Sequence, residues 1–256
     1  MSGEAERMIR MPTNAPLRMS LEPSLLRLHE LVVHDRVEST QDAALGEPAG
    51  TVVTARDQTG GRGRQGRAWS AGAAGLAVTF VLDPSTSPAR AVAAAVVVAE
   101  TVESFLHRPA GIKWPNDVFV DGRKIAGILI EQAETARIGI GINIAQTSWP
   151  ADLAAIAVSL AELGVTVGHQ AVLDLLTTGI DGMDDRPPVD VRAAFDRRDV
   201  LIGARGVFRT SGETVTGVVR SIDPFVGLEV VGDDGTAVLL SASTTTVVEA
   251  DLRSRR

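Results

Sequence analysis

The chain has 256 residues, 45% hydrophobic and 22% charged, with a formal net charge of −7 from 25 Lys plus Arg against 32 Asp plus Glu. Such a chain can build one substantial core and a small second module, and its acidic balance argues against a nucleic-acid platform, which rests on a broad basic surface. The absence of cysteine excludes disulfides, a thiolate nucleophile and Cys-ligated metal, and His29, His34, His107 and His169 have no ligand-like spacing.

In chain order, residues 1–22 read as a flexible arm: "MSGEAERMIRMPTNAP" is polar, acidic and unlike a secretory signal. "LEPSLLRLHELVVHDRV" predicts a short helix entered at Pro23, then a strand running into "EST". Ser39 or Thr40 can cap a brief helix over "QDAALG", ended by Gly46. "TVVTARD" is a β-branched strand, followed by the glycine-rich "GGRGRQGRAW" and a second strand, "LAVTFVL". The strongest helix is "SPARAVAAAVVVAETVESFLHRP", with Ser87 as cap, Pro88 in its first turn and Pro109 as its stop. Its apolar run "AVAAAVVVA" is too short for a membrane span, and a cytoplasmic protein is expected.

"GIKWPNDVFV" and "KIAGILIEQ" read as strands joined by a "DGR" hairpin turn, with "ARIGIGINIA" as a third antiparallel strand. Helices are predicted over "ADLAAIAVSLAELG", "HQAVLDLLTTGIDGM" and "DVRAAFDRRD". From about Gly203 the texture changes to short strands with Gly and Asp-Gly turns, as in a small β-barrel of roughly 50 residues. The fold class is therefore α+β: a mixed, largely antiparallel sheet with helices on one side over 23–200, then a β module over 201–256.

The loop 60–69 raises a chemical question. Gly61, Gly63 and Gly66 satisfy G-x-G-x-x-G after a strand, but a dinucleotide site needs a helix opening at the third glycine, and here another strand follows. Gly61 and Gly66 also fit the start of a P-loop, yet Arg67 and Ala68 stand where Lys and a hydroxyl are needed, and Ala68 cannot hold a metal. What remains is a loop whose backbone can approach a ligand closely and whose Arg62, Arg64 and Arg67 can fork onto carboxylate or phosphate oxygens.

"KWPNDV" sets Lys113, an aromatic-proline corner, Asn116 and Asp117 within five positions of one strand, where Pro115 marks a bulge or an edge. Lys124 opens "KIAGILIE", whose Ala126 and Gly127 are too small to fill a core layer and leave room for something flat and apolar. "GIGIN" is a second glycine-thinned strand and ends in the amide of Asn143.

In this order, "EST" with Gln41, "QTGGRGRQGRAW", "KWPNDV", "KIAGILIE" and "GIGIN" resemble the biotin protein ligases, from about Ser39 to Leu160. The resemblance implies a class II synthetase-like catalytic domain and an SH3-like C-terminal barrel. It also implies a two-step reaction: biotin and ATP give biotinyl-5′-AMP and pyrophosphate, and biotin then passes to a lysine of a biotin carboxyl carrier domain. By the same resemblance Ser39, Thr40, Gln41 and Gln58 meet the ureido side of biotin, while Arg62 and Gly63 line its pocket through backbone and Gly127 lies against it. Arg64 and Lys124 meet the carboxylate and α-phosphate, and Asp117 orients the acceptor amine. Arg67, Trp69, Lys113, Asn116 and Asn143 serve ATP, which brings Mg²⁺.

Gln41 replaces the commoner Asn and Gly60 a usual Ala, which alters pocket shape more than charge. The 38 residues before Ser39 are too few for a winged helix-turn-helix, so a ligase without DNA binding is expected. A homodimer is compatible with the resemblance, which does not fix the oligomeric state. Two rivals stand against it: a lipoate or octanoate transferase of the same general fold, and a non-enzymatic Arg-Gly RNA binder, which the 4% aromatic content disfavours.

Overall fold

A computed structural model describes residues 15–69, 72–210 and 212–252. Its first sheet has eight strands: β1 (Leu17–Ser20), β2 (Glu30–Val37), β3 (Thr51–Gln58), β6 (Gly75–Leu82), β7 (Gly111–Lys113), β8 (Asp117–Val120), β9 (Arg123–Gln132) and β10 (Ala136–Asn143). They lie in the order β1-β2-β3-β6-β10-β9-β8-β7, and every pair is antiparallel except β2 with β3. The expected mixed, largely antiparallel sheet is present. Two-residue strands β4 (Gly61–Arg62) and β5 (Ala68–Trp69) fold the arginine loop into its own hairpin.

Period-two alternation gives this sheet two distinct faces. On β6, Leu76, Val78, Phe80 and Leu82 join the main core; on β10, Ile138, Ile140 and Ile142 do the same. That face is covered by α2 (Ala89–Leu106), against which α3 (His169–Asp181) and α4 (Pro188–Asp196) pack. The other face carries the short α1 (Thr40–Ala43) over Val32, Val53 and Val81, and it is the face that turns Gly139 and Gly141 outward. Covered on both sides, β6 is buried along its whole length.

The best-signalled elements form where the residues place them. At the start of α2 the Ser87 hydroxyl accepts from the Ala89 amide at 3.3 Å, and the helix ends at His107 in a left-handed conformation (φ 52°). The "DGR" turn joins β8 to β9 with Asp121 and Gly122 both at positive φ, 50° and 74°, a conformation that glycine takes without penalty.

Three expectations are corrected. No helix follows Pro23, because the Asp181 carboxylate accepts from the amides of Leu26, Arg27 and Leu28 at 2.7–2.8 Å and holds that segment as an irregular turn. "ADLAAIAVSLAELG" is a chain of turns rather than a helix: Ala157 bridges Lys124, and the Val158 amide donates to the Lys124 carbonyl at 2.9 Å. "KWPND" is no single strand but the turn between β7 and β8, which pair with each other in the register Lys113↔Asp117 around a cis Trp114–Pro115 bond. Within the span read as an arm, Leu17–Ser20 pairs with β2, while residues 1–14 lie outside the described residues.

The C-terminal module holds β11 (Arg205–Arg209), β12 (Thr214–Asp223), β13 (Gly227–Val231), β14 (Ala237–Ser241) and β15 (Thr246–Ala250), in the order β14-β13-β12-β11-β15. Among the described residues no ladder joins β14 to β15, so the expected barrel is realised as a five-stranded antiparallel sheet. Its apolar face, including Phe208, Val219, Leu228 and Val230, is continuous with the main core. Trp114, 1% exposed, ties the two modules by donating Nε1–H to the Pro224 carbonyl at 3.2 Å.

Candidate functional site

A cavity of about 740 Å³ opens on the face of the large sheet opposite the three longer helices, and the C-terminal module closes part of its wall. Its size suits a ligand of several hundred daltons. Every residue singled out from the sequence lines it: Ser39, Thr40, Gln41, Gln58, Arg62, Gly63, Arg64, Arg67, Trp69, Lys113, Asn116, Asp117, Lys124, Gly127 and Asn143.

One part is neutral and polar. Ser39 caps α1, its hydroxyl accepting from the Gln41 amide at 3.2 Å. The Gln58 side-chain oxygen accepts from both the amide and the hydroxyl of Thr40, at 2.8 and 3.2 Å, and the Thr79 hydroxyl donates to Thr40 Oγ1 at 3.0 Å. Gln41 lies across Gly139, where a Cβ would stand 2.9 Å from its Cδ. Its amide group donates to the carbonyls of Leu129 and Arg137, at 3.2 and 3.5 Å, which leaves buried Oε1 without a partner. A buried acceptor left in this way fits a ligand N–H.

Trp69 is the flat group that the glycine-thinned strands accommodate. A Cβ at Gly141 would lie 2.2 Å from its Cε2, and one at Gly127 would lie 3.3 Å from its Cζ3. Its indole Nε1 is buried with no partner, and Lys124 Nζ stands 5.4 Å from the ring centroid. Ala126, by contrast, faces the main core on the opposite side of β9.

Beyond Trp69 the lining turns cationic. Lys124 Nζ lies 2.7 Å from Asp117 Oδ1, an ion-pair contact rather than an aligned hydrogen bond. Arg64 donates to the Ala242 carbonyl at 2.5 Å and to Asn116 Oδ1 at 3.4 Å. Burial pushes its guanidinium below the usual arginine range, the Asp117 charge offsetting part of this and Arg67 adding to it. Lys113 is likewise pulled down by burial, opposed by Asp117 and reinforced by Lys124 and Arg67; its Nζ sits 5.5 Å from the Phe119 centroid. Arg64, Lys113 and Lys124 share the single carboxylate of Asp117, with Arg67 close to Arg64 and Lys113, so this end of the cavity keeps positive charge, the condition that favours an anionic ligand, although Glu249 and Asp251 also line the cavity.

Three side chains have fixed partners. Arg62 is turned onto Asp42 in a bidentate pair at 2.5 and 2.6 Å, so its contribution to the cavity wall is mainly backbone. Asn116 clamps β9, its amide donating to the Ile128 carbonyl at 2.9 Å. Asn143, 3% exposed, donates to the carbonyls of Val158 and Lys124 at 3.0 and 3.3 Å, which fixes the cavity floor. Among the described residues no group of three His, Asp or Glu side chains could hold a metal ion, and Asp117 is already paired. The residues therefore do not build a protein cage for Mg²⁺.

Residues that carry no sequence signal complete the wall. Thr245 and Thr246 arrive from the C-terminal module, and Trp149, Leu153 and Ile156 from the turns after β10. Only the packing of one module on the other could reveal the first pair. Gln65, at φ 57°, is held by a hydrogen bond of 2.5 Å from the Thr246 hydroxyl.

A model of the biotin/lipoate A/B protein ligase family matches residues 33–148, a span that holds all fifteen singled-out residues. A bifunctional ligase/repressor BirA of Bacillus subtilis is 37% identical over 61% of this chain, and the match spans about half, 54%, of that relative's length. A biotin acetyl-CoA-carboxylase ligase of Paracoccus denitrificans is 31% identical over 81% of this chain and 96% of its own. Among solved structures, a biotin protein ligase of Aquifex aeolicus in complex with biotin and ATP aligns with a TM-score of 0.72, at 24% identity over 88% of this chain and 99% of that one. This last likeness carries the fold.

Proposed function

The chain belongs to the biotin protein ligase family, and on that footing we propose that it activates biotin with ATP and transfers it to a lysine of a biotin carboxyl carrier domain. The observation that carries this reading is the pairing, within one cavity, of an uncharged hydrogen-bonding end around Gln41 with a cationic end around Arg64 and Lys124.

In the first step a biotin carboxylate oxygen attacks the α-phosphorus of ATP and pyrophosphate leaves, giving the mixed anhydride biotinyl-5′-AMP. Two anions must meet, so preorganised positive charge lowers the barrier. Arg64 and Lys124 are assigned to the carboxylate and α-phosphate, and Arg67 and Lys113 to the phosphate chain. Ser39, Thr40, Gln41 and Gln58 are assigned to the ureido ring, with Gln41 Oε1 accepting a ring N–H. Arg62 and Gly63 contribute backbone, Gly127 gives clearance, and Trp69 offers a stacking face. Asn116 and Asn143 act by holding β9 and β10.

In the second step the neutral amine of the acceptor lysine attacks the anhydride carbonyl; an amide forms, AMP leaves, and a proton is released. Asp117 is assigned to orienting the incoming amine once the nucleotide phosphate draws Lys124 away from it. Mg²⁺ is placed on the nucleotide phosphates, and no step is assigned to it.

The test is pyrophosphate release from ATP with and without biotin, followed by the mass gain of a carrier domain. Release that requires biotin, with lipoate unable to replace it, is the expected result; lipoate-dependent release would overturn the choice of substrate. Gly141→Ala provides a separate check, since its new methyl must displace the Trp69 indole. Over-packing of this kind costs about 1–3 kcal/mol, so the melting temperature should fall and calorimetric MgATP affinity should drop about tenfold or more. Unchanged affinity would show that Trp69 is not part of the pocket.

A further inference from the structure

We propose that the turn between β14 and β15 is a working part of the cationic end of the cavity, with the Thr245 hydroxyl donating a hydrogen bond to a phosphate oxygen of bound ATP. This rests on reading the cavity as an ATP site.

Thr245 is fully buried and lines the cavity, yet its Oγ1 has no hydrogen-bond partner. Its backbone is fixed, the amide donating to the Ser241 carbonyl at 3.0 Å. Residues on either side of it reach across to the arginine loop: the Ala242 carbonyl accepts from Arg64 Nη2, and the Thr246 hydroxyl donates to Gln65 Oε1, both at 2.5 Å. The hydroxyl is thus held between two tethers to the loop that carries Arg64 and Arg67.

A buried hydroxyl without an acceptor is unfavourable, and the ligand that relieves it must present one. Arg64 reaches the same turn through the Ala242 carbonyl, and with Arg67, Lys113 and Lys124 lining the same cavity the charge favours an oxyanion over a cationic group. The Ala242 carbonyl and Thr246 hydroxyl meanwhile tie the arginine loop to the turn that carries Thr245. The C-terminal sheet thereby contributes directly to nucleotide binding instead of only covering the cavity.

The experiment is biotin-dependent ATP–pyrophosphate exchange by the full chain and three variants. Thr245→Val keeps the shape and removes the hydroxyl; it should raise the KM for ATP about tenfold, the loss of one hydrogen bond to a charged group, and leave the KM for biotin unchanged. Thr245→Ser should stay near wild type, and Thr245→Ala should match the valine variant. If Thr245→Val does not fold, the Ser and Ala pair decides alone, since both lack the methyl and only Ser keeps the hydroxyl. A KM for ATP within twofold of wild type in Val and Ala, or an equal rise in Ser and Ala, overturns the proposal. If the wild type shows no biotin-dependent exchange, the functional reading fails by itself. Calorimetric titration of MgATP then supports the turn if Ser binds more tightly than Ala, and overturns it if they bind equally.

Discussion

Arg64→Ala is expected to lower the rate of biotin-dependent pyrophosphate release by about 10²–10³-fold, the loss typical when one preorganised donor to a developing oxyanion is removed. Its guanidinium is held at two points, by the Ala242 carbonyl and by Asn116 Oδ1, and lies in a partly desolvated place where burial already disfavours its charge. An anion arriving there finds a cation with little competing water, where the interaction is stronger than in bulk solvent. Stability should change little, because the substitution removes one good hydrogen bond to a carbonyl, about 1 kcal/mol. Turnover at saturating substrate and a thermal melt separate these effects. A variant that loses activity only in proportion to a lowered melting temperature would remove Arg64 from the chemistry.

Lys124→Ala should impair the same step by about 10²–10³-fold, and its neighbourhood adds a sharper signature. In the wild type Lys124 and Asp117 are in contact at 2.7 Å, and Asp117 also offsets the burial of Arg64 and Lys113. Removing the ammonium leaves a carboxylate facing the incoming phosphate and carboxylate groups, so part of the loss comes from repulsion. The double variant Lys124→Ala with Asp117→Asn is therefore expected to recover about tenfold of adenylate formation over Lys124→Ala alone, a coupling typical of residues in contact. Transfer to the carrier should not recover, because the residue assigned to orient the acceptor amine is gone. Strict additivity of the two substitutions in pyrophosphate release would remove the repulsion argument.

The amino-acid sequence by itself determined the elements whose signals are local. Helix α2 follows from its cap, its apolar run and its stop, and the β8–β9 hairpin from Asp121-Gly122. The glycine-thinned strands follow from alternation: one face of β10 carries isoleucines into the core, and the other carries Gly139 and Gly141. The candidate residues were legible as a set. Each cation, amide or missing side chain is common by itself, and it was their order along the chain that narrowed the chemistry.

Only the tertiary structure decided what depends on distant partners. Residues 23–28 carry a helix-like pattern, but the Asp181 carboxylate takes three of their amides, and 151–160 give their hydrogen bonds to Lys124, Asn143 and one another in turns instead of a continuous helix. Propensity is worth tenths of a kcal/mol per residue, and such long-range bonds outweigh it. That the flat group over Gly127 and Gly141 is Trp69, and that Thr245 and Thr246 from the far end of the chain reach the arginine loop, likewise follow from packing alone. No local pattern encodes a contact between residues about 180 positions apart, because the burial that makes it favourable exists only once both modules share one core.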